Sequence, residues 1–320
     1  MARLHGFPKK QVLDIYEKMI LSRRLDEKML IMLKQGKSFF HIGASGHEAA
    51  QLAASEMMTS GKDWSFPYYR DGAFCIGLGM TAREQLLSFL AKADDPNSGG
   101  RQMPQHYGHK NLNIVSQSSP TGTQFLQAVG CAMSCKLGKT KDIVYVSSGE
   151  GTTSQGDFHE ALNWASNFKA PVIFHIQDNE YAISTHRSEQ TAGSIYNMTA
   201  GYENLSRYDV DGTDFFETNL AFKEAIQRAR RGKGPSVIVS HVVRLLPHSS
   251  SDDQRKYRSE EDLAKDMERD PIELFKVWME EAKKTEPNDP NALALGTSDQ
   301  NNIPSVRMVL LKDFNKDGFV

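Results

Sequence analysis

Several things are scarce in this chain, and each scarcity excludes something. Three cysteines (Cys75, Cys131, Cys135) in 320 residues make no disulfide framework. Cys131 and Cys135 lie among Ala128, Gly130 and Ala132, so close helix packing accounts for them better than a metal site does. Neither sign of charge dominates: the formal net charge is −2, which argues for no nucleic-acid or membrane surface. No apolar run approaches a membrane span, and residues 1–10 carry no hydrophobic signal region, so a cytoplasmic protein is expected. There is no internal repeat. What remains is ordinary for a soluble protein with a sizeable core, 39% hydrophobic and 24% charged.

The densest signal lies at residues 149–181. Gly149-Glu150-Gly151 follows the apolar run Ile143-Val144-Tyr145-Val146 and two serines; Gln177-Asp178-Asn179-Glu180-Tyr181 follows Val172-Ile173-Phe174-His175-Ile176. Between them Phe158, Ala161, Leu162, Ala165 and Phe168 recur at helical spacing. Strand, glycine turn, helix, strand is the βαβ unit of a parallel sheet. Its two polar clusters fall at the carboxyl ends of neighbouring strands, where open α/β sheets bind ligands. The Glu150 carboxylate and the Asn179 amide would meet there, beside glycines that admit close backbone approach. Such oxygens suit a hard divalent ion carrying a diphosphate. The plain alternative is an ordinary βαβ unit with a glycine turn.

Around that unit the pattern is regular. Residues 11–35 make an amphipathic helix through Leu13, Tyr16, Ile20, Met29 and Leu33, stopped by Gly36. A glycine-punctuated turn at 41–47 leads into a small-residue helix at 48–54. Phe66-Pro67-Tyr68-Tyr69-Arg70-Asp71 is a polar-aromatic cluster in an irregular region, and Thr81-Ala82-Arg83-Glu84 is a capping box for a helix to about residue 91. Residues 94–119 lack periodicity; their content (Arg101-Gln102-Met103-Pro104, His106-Tyr107-Gly108) favours a binding loop. Ser118-Ser119-Pro120-Thr121-Gly122-Thr123-Gln124 is a hydroxyl-rich turn whose oxygens either hold a monovalent cation or cap the next helix. Thr213 is the expected cap of a helix at 215–231, and residues 235–240 read as a further buried strand. The alternation across 120–245 predicts an α/β fold, a parallel sheet with helices on both faces.

These motifs carry a resemblance. Gly149-Glu150-Gly151 with Asp178-Asn179 is similar to the thiamine-diphosphate motif, and residues 1–270 resemble the α subunit of a thiamine-dependent 2-oxo acid dehydrogenase, the E1 component. The likeness is densest at Phe66-Pro67-Tyr68-Tyr69-Arg70, Gly100-Arg101-Gln102-Met103-Pro104, Tyr181-Ala182-Ile183-Ser184 and Pro247-His248-Ser249-Ser250-Ser251-Asp252-Asp253. The last two blocks resemble the branched-chain (2-oxoisovalerate) enzymes more than the pyruvate enzymes. The resemblance implies a thiamine-diphosphate-binding fold in which Glu150, Asn179 and the Tyr181 carbonyl coordinate Mg²⁺. It implies that Gly149, Gly151 and Thr152 serve the diphosphate, that Arg70 and His248 contact it, and that Tyr69 lines the site. Ser119 and the Thr121 backbone would meet the aminopyrimidine, and Ser118, Pro120, Thr123 and Gln124 match a potassium site. His248 is the expected catalytic residue, exchanging protons near neutral pH. The implied reaction is oxidative decarboxylation of a branched-chain 2-oxo acid, with acyl transfer to a lipoyl domain of an E2 acyltransferase partner. The glutamate that activates thiamine belongs to the E1 β subunit in this family, so the chain is expected to be a half-site, inactive outside an α₂β₂ heterotetramer.

There are departures. Glu150 stands where many thiamine enzymes have Asp, Asp178 where the first Asn is usual, and Thr121 where branched-chain relatives carry an apolar residue. Gln177 stands where those relatives often place an arginine against the diphosphate; losing such a cation would cost on the order of 1.5–3 kcal/mol. Ser249 and Ser259 match positions phosphorylated in some relatives, although serine-rich loops are commonplace.

Residues 271–320 are read as a second, incomplete unit. Glu286-Pro287-Asn288-Asp289-Pro290 and Ser305-Val306-Arg307-Met308-Val309-Leu310-Leu311-Lys312 resemble the amino-terminal part of pyridox(am)ine 5′-phosphate oxidase, a flavin enzyme with a split β-barrel. Helix 274–283, a loop, one unpartnered strand at 307–311 and a turn at Asp317-Gly318 would be a truncated barrel fragment, too small to bind FMN. A fragment of such an oxidase, and a thiamine-type fold without catalysis, are the competing readings of the whole chain.

Overall fold

The apolar runs near residues 144, 172 and 236 are buried on both sides, as central strands of a parallel sheet must be. The computed structural model describes residues 3–4, 6–274 and 277, together with the backbone of 292–298, 304–310, 314–315 and 318–319. Its main sheet has five parallel strands: β1 (Trp64–Phe66), β2 (Val144–Gly149), β3 (Val172–Asp178), β4 (Ser206–Asp211) and β5 (Ser236–His241), in the order β1-β2-β3-β5-β4. Among the described residues the helices of six or more residues are α1 (Lys9–Lys34), α2 (Glu48–Ser55), α3 (Gly72–Gly77), α4 (Ala82–Phe89), α5 (Thr123–Leu137), α6 (Gly156–Asn167), α7 (Phe215–Arg230) and α8 (Glu260–Glu268), with two single turns at Arg187–Gln190 and Ile195–Met198.

The order explains where the helices go. The chain crosses the sheet in one direction from β1 to β3, jumps to the β4 edge and steps back to β5. With right-handed crossovers, that reversal puts α7 on the face opposite α5 and α6. Side chains alternate accordingly. Val144, Val146, Val172, Phe174, Val237 and Val239 pack under α5 and α6 with Phe125, Phe158 and Leu162. Tyr145, Ile173 and Ile238 face Tyr16, Leu52, Phe74 and Phe222 from α1, α2, α3 and α7. Phe74 stacks on Tyr145 with ring centroids 4.1 Å apart. The parallel sheet covered on both faces is therefore as the alternation predicts.

Three local expectations change. The cap of α7 is Asp214, whose carboxylate accepts from the N–H groups of Phe216 and Glu217; Thr213 instead donates its hydroxyl to Asp211 (2.6 Å). Strand β4 has no clear sequence signal, because Ser-Arg-Tyr-Asp-Val-Asp at the sheet edge leaves most of its residues part-exposed. The strand at 304–310 is not alone: it pairs antiparallel with 292–298. Cross-strand pairing is a long-range fact that the Ala-Leu-Ala-Leu stretch does not announce. Short strands at 314–315 and 318–319 flank the expected turn. The expected helix at 274–283 lies largely outside the described residues. Among the described residues no helix is long and apolar enough to cross a membrane.

Candidate functional site

The carboxyl ends of β2 and β3 bring the first polar cluster together. Gly149 ends β2, and Glu150 begins a single turn of 3-10 helix, Glu150–Ser154. Glu150 accepts from the backbone N–H of Asn179 (3.2 Å), and the Asn179 side-chain oxygen accepts from the N–H of Tyr181 (3.3 Å). Glu150 and Asn179 are both buried, and Glu150 forms no ion pair among the described residues. Burial, with the Asp178 carboxylate nearby, pushes the Glu150 carboxyl up to about 7. A buried carboxylate without a cation is costly unless something positive joins it. One carboxylate, one amide oxygen and a backbone carbonyl are the hard-oxygen donors that a divalent ion takes. Among the described residues there is no cluster of three His, Cys, Asp or Glu offering a different metal site.

A strap closes over this corner. Tyr181–Ala182 and Thr185–His186 pair as a short hairpin, and Gln190 donates to the Gly151 carbonyl (2.7 Å). A Cβ on Gly151 would come within 2.5 Å of the Ala182 Cβ, so only glycine admits this approach. Asp178 is not left uncompensated: Arg187 donates to it from the far side of the hairpin, with His241 3.7 Å away. Thr152 lies part-buried in the same turn, its carbonyl accepting from the Gln155 N–H (3.0 Å).

Cations arrive from distant loops. Arg70, almost wholly buried, donates to the Gly43 carbonyl (2.6 Å) and to both the Nδ1 and the carbonyl of His248 (3.0 Å each). Its guanidinium lies 5.3 Å from the centre of the Tyr69 ring, which meets the His248 ring edge-on at 6.0 Å. Arginine can only donate, so His248 Nδ1 is an acceptor and the neutral ring keeps its proton on Nε2. Burial and the charges of Arg70 and Arg244 push His248 down to about 4. The expectation of a histidine titrating near neutrality therefore changes: here it is a neutral Nε2–H donor.

Arg244 is the residue that sequence reading passed over. It is 1% exposed, donates to the Tyr181 and Ile183 carbonyls (3.4 and 3.1 Å) and to the Tyr257 hydroxyl (2.8 Å). Its Nε has no partner among the described residues. Burial and the charge of Arg70 hold the Arg244 guanidinium below its ordinary value. Two neighbouring buried guanidinia call for an anion. The position of Arg244 after the apolar run of β5 was the available signal: a charge where a buried strand leaves the sheet.

Gln177 does not reach that anion-seeking pair. It lies on the other face of β3 from Phe174 and Ile176, at the hub of a buried polar network. Its Nε2 donates to Asp71 (2.6 Å); its Oε1 takes bonds from Gln51 Nε2 and His47 Nδ1 (2.9 Å each). Ser147 and Tyr145 also donate to Asp71. Burial raises the Asp71 carboxyl to about 7.

The hydroxyl-rich turn divides. Ser119 is exposed, with its oxygen 2.9 Å from His106 Nε2, and Thr121 is exposed beside it. Thr123 donates its hydroxyl to the Pro120 carbonyl (3.1 Å), and Gln124 reaches back to accept from the Gly122 N–H (3.1 Å). The Pro120 and Gln124 oxygens are thus engaged within the turn that leads into α5, and Ser118 is part-buried beside them. In the 247–253 loop, Ser249 is buried with its hydroxyl 3.0 Å from that of Ser251, while Ser259 caps α8.

Comparison with known proteins follows the same lines. The family described as Dehydrogenase E1 component matches residues 16–290. The chain is 42% identical over 277 residues to the 2-oxoisovalerate dehydrogenase subunit alpha of Bacillus subtilis, spanning 86% of this chain and 84% of that protein. It is 34% identical over 272 residues to the pyruvate dehydrogenase E1 component subunit alpha of Staphylococcus aureus, spanning 85% of this chain and 70% of that one. The family match runs to residue 290, past the boundary at 270 that the sequence reading expects.

Proposed function

The chain belongs to the dehydrogenase E1 component family, and from that premise we propose that it is the α subunit of a 2-oxo acid dehydrogenase of the 2-oxoisovalerate type, holding Mg²⁺ and thiamine diphosphate. The observation that carries this reading is Glu150: a buried carboxyl that forms no ion pair among the described residues, against Asn179, with the buried guanidinia of Arg70 and Arg244 nearby. An acidic corner for a metal beside a basic one for an anion suits a metal diphosphate.

Thiamine diphosphate, when bound, supplies the nucleophilic carbon that adds to a 2-oxo acid and lets carbon dioxide leave. The chain's own residues do the holding. Glu150, Asn179 and the Tyr181 carbonyl bind the metal; Gly149, Gly151 and Thr152 line the turn under the diphosphate. Arg70 and Arg244 neutralise it. His248, oriented by Arg70, presents its Nε2–H as a fixed donor, and Tyr69 packs against both. Ser119 and the Thr121 backbone face the pyrimidine end. Ser118, Pro120, Thr123 and Gln124 would supply the oxygens of a potassium site at the turn that leads into α5.

The half-site reading stands with it: activity requires an E1 β subunit that brings the missing glutamate, and the acyl product leaves on the lipoyl group of an E2 partner. Residues 1–270 form the cofactor-binding unit in this proposal, with 271–320 a separate segment. Calorimetric titration with thiamine diphosphate and Mg²⁺, with and without the β subunit, tests it alongside decarboxylation of 2-oxo acids using an artificial electron acceptor. Binding in the assembly, with turnover only there, is the expected result. Robust turnover by the chain alone would overturn the half-site, and absence of binding in the assembly would overturn the cofactor assignment.

A further inference from the structure

Residues 94–119 contain a buried histidine, His106, that the proposed function leaves unused. The loop closes on itself: the His109 and Ile114 backbones exchange hydrogen bonds (2.8 and 3.0 Å), and the Gln117 N–H donates to the Tyr107 carbonyl (2.8 Å). That ladder returns the chain alongside itself and sets buried His106 against exposed Ser119, with Nε2 2.9 Å from the hydroxyl oxygen. The other ring nitrogen, Nδ1, lies 3.2 Å from the Pro104 carbonyl. A carbonyl only accepts, so Nδ1 carries the proton, and in the neutral ring Nε2 is an acceptor. The Ser119 hydroxyl proton therefore points at His106, and what Ser119 shows to the site is oxygen lone pairs.

We propose that His106 is a positioning residue for the pyrimidine end of the site, locking the Ser119 hydroxyl as an acceptor so that the site selects a ligand bearing an exocyclic amino group over one bearing an oxo group at the same position. The inference rests on the reading of Ser119 under the proposed function and adds a residue and a selectivity to it. An unlocked hydroxyl serves either ligand, because it can turn to donate or to accept; a hydroxyl held by a buried histidine cannot.

The experiment compares two probes, thiamine diphosphate and its 4′-oxo analogue oxythiamine diphosphate, by calorimetry in the presence of Mg²⁺. The protein is the full chain assembled with its β subunit. The wild type is expected to prefer the amino form by on the order of tenfold, the value of one hydrogen bond satisfied against one frustrated. His106→Phe removes the acceptor, keeps a ring in the buried space, and is expected to bring that preference to about threefold or less, with unchanged melting temperature. His106→Gln, whose amide oxygen can take the Ser119 proton, restores it. If folded His106→Phe keeps the wild-type preference, the locking role is wrong while the Ser119 reading stands. If Ser119→Ala also leaves both affinities and their ratio unchanged, Ser119 does not meet the pyrimidine, and both fall.

Discussion

Lowering the pH from 8 to 6 should weaken binding of Mg²⁺-thiamine diphosphate, with Glu150 as the protein's share of the effect. Its carboxyl is pushed up to about 7 in the ligand-free protein. The proton is thus held below pH 7, whereas a metal takes only the ionised form. Above pH 7 binding is indifferent to Glu150; below it, each unit costs about 1.4 kcal/mol, a tenfold loss of affinity. Roughly nine-tenths of the sites carry the proton at pH 6 and about one-tenth at pH 8. Titration calorimetry in two buffers of different ionisation heat should therefore count about 0.9 protons released from Glu150 at pH 6 and about 0.1 at pH 8. The diphosphate titrates in the same range, so the same titrations on Glu150→Gln report the ligand's share, and the difference belongs to Glu150. Equal proton release by the two proteins at pH 6 would refute the argument. Stability offers a second reading with its own sign. A carboxyl raised in the folded state loses stability as pH climbs from its ordinary value through about 7, here by about 3 kcal/mol. The melting temperature of the metal-free protein should accordingly fall between pH 5 and 8 relative to that of Glu150→Gln.

Other expectations follow from neighbouring contacts. Arg187→Ala strands the buried Asp178 and should cost about 2 kcal/mol, less than a fully buried pair because Arg187 is 26% exposed; thermal unfolding should show most of that loss vanish in an Asp178→Asn background. Gly151→Ala drives a methyl into Ala182, 2.5 Å away, and should cost about 1–3 kcal/mol of stability, with Ala182→Gly restoring much of it in the double variant. Nitrogen-15 NMR should find His248 titrating near 4 without ligand. Saturating magnesium pyrophosphate should move that value upward, since an anion offsets the Arg70 and Arg244 charges that depress it; a titration left in place would mean that these arginines do not meet the anion.

What could be read from the sequence was local and periodic. The βαβ unit was legible because its apolar runs are central strands, buried on both faces, and because strand-end polar residues at 149–151 and 178–181 must meet once the strands are parallel neighbours. Strand β4 was not, since an edge strand is only partly buried and Ser-Arg-Tyr-Asp-Val-Asp carries no such run. The contacts that complete the site were out of reach for a different reason. Arg70 and His248 are 178 positions apart, and nothing in either segment names the other. Gln177 shows how a correct local observation can mislead. Its position two residues before Asn179 suggested a weakened hold on the diphosphate, yet strand alternation puts it on the same face as Ile173 and His175, away from Phe174 and Ile176. That face holds Ser147 and His175, so residue 177 had a buried polar network to satisfy, and a neutral amide is what bridges the Asp71 carboxyl on one side to donors from Gln51 and His47 on the other. An arginine side chain there, able only to donate, would leave those two donors facing a third with nothing to accept them. Gln177→Arg is therefore expected to destabilise the fold rather than tighten cofactor binding, and a variant with both unchanged stability and higher affinity would show that residue 177 faces the diphosphate after all.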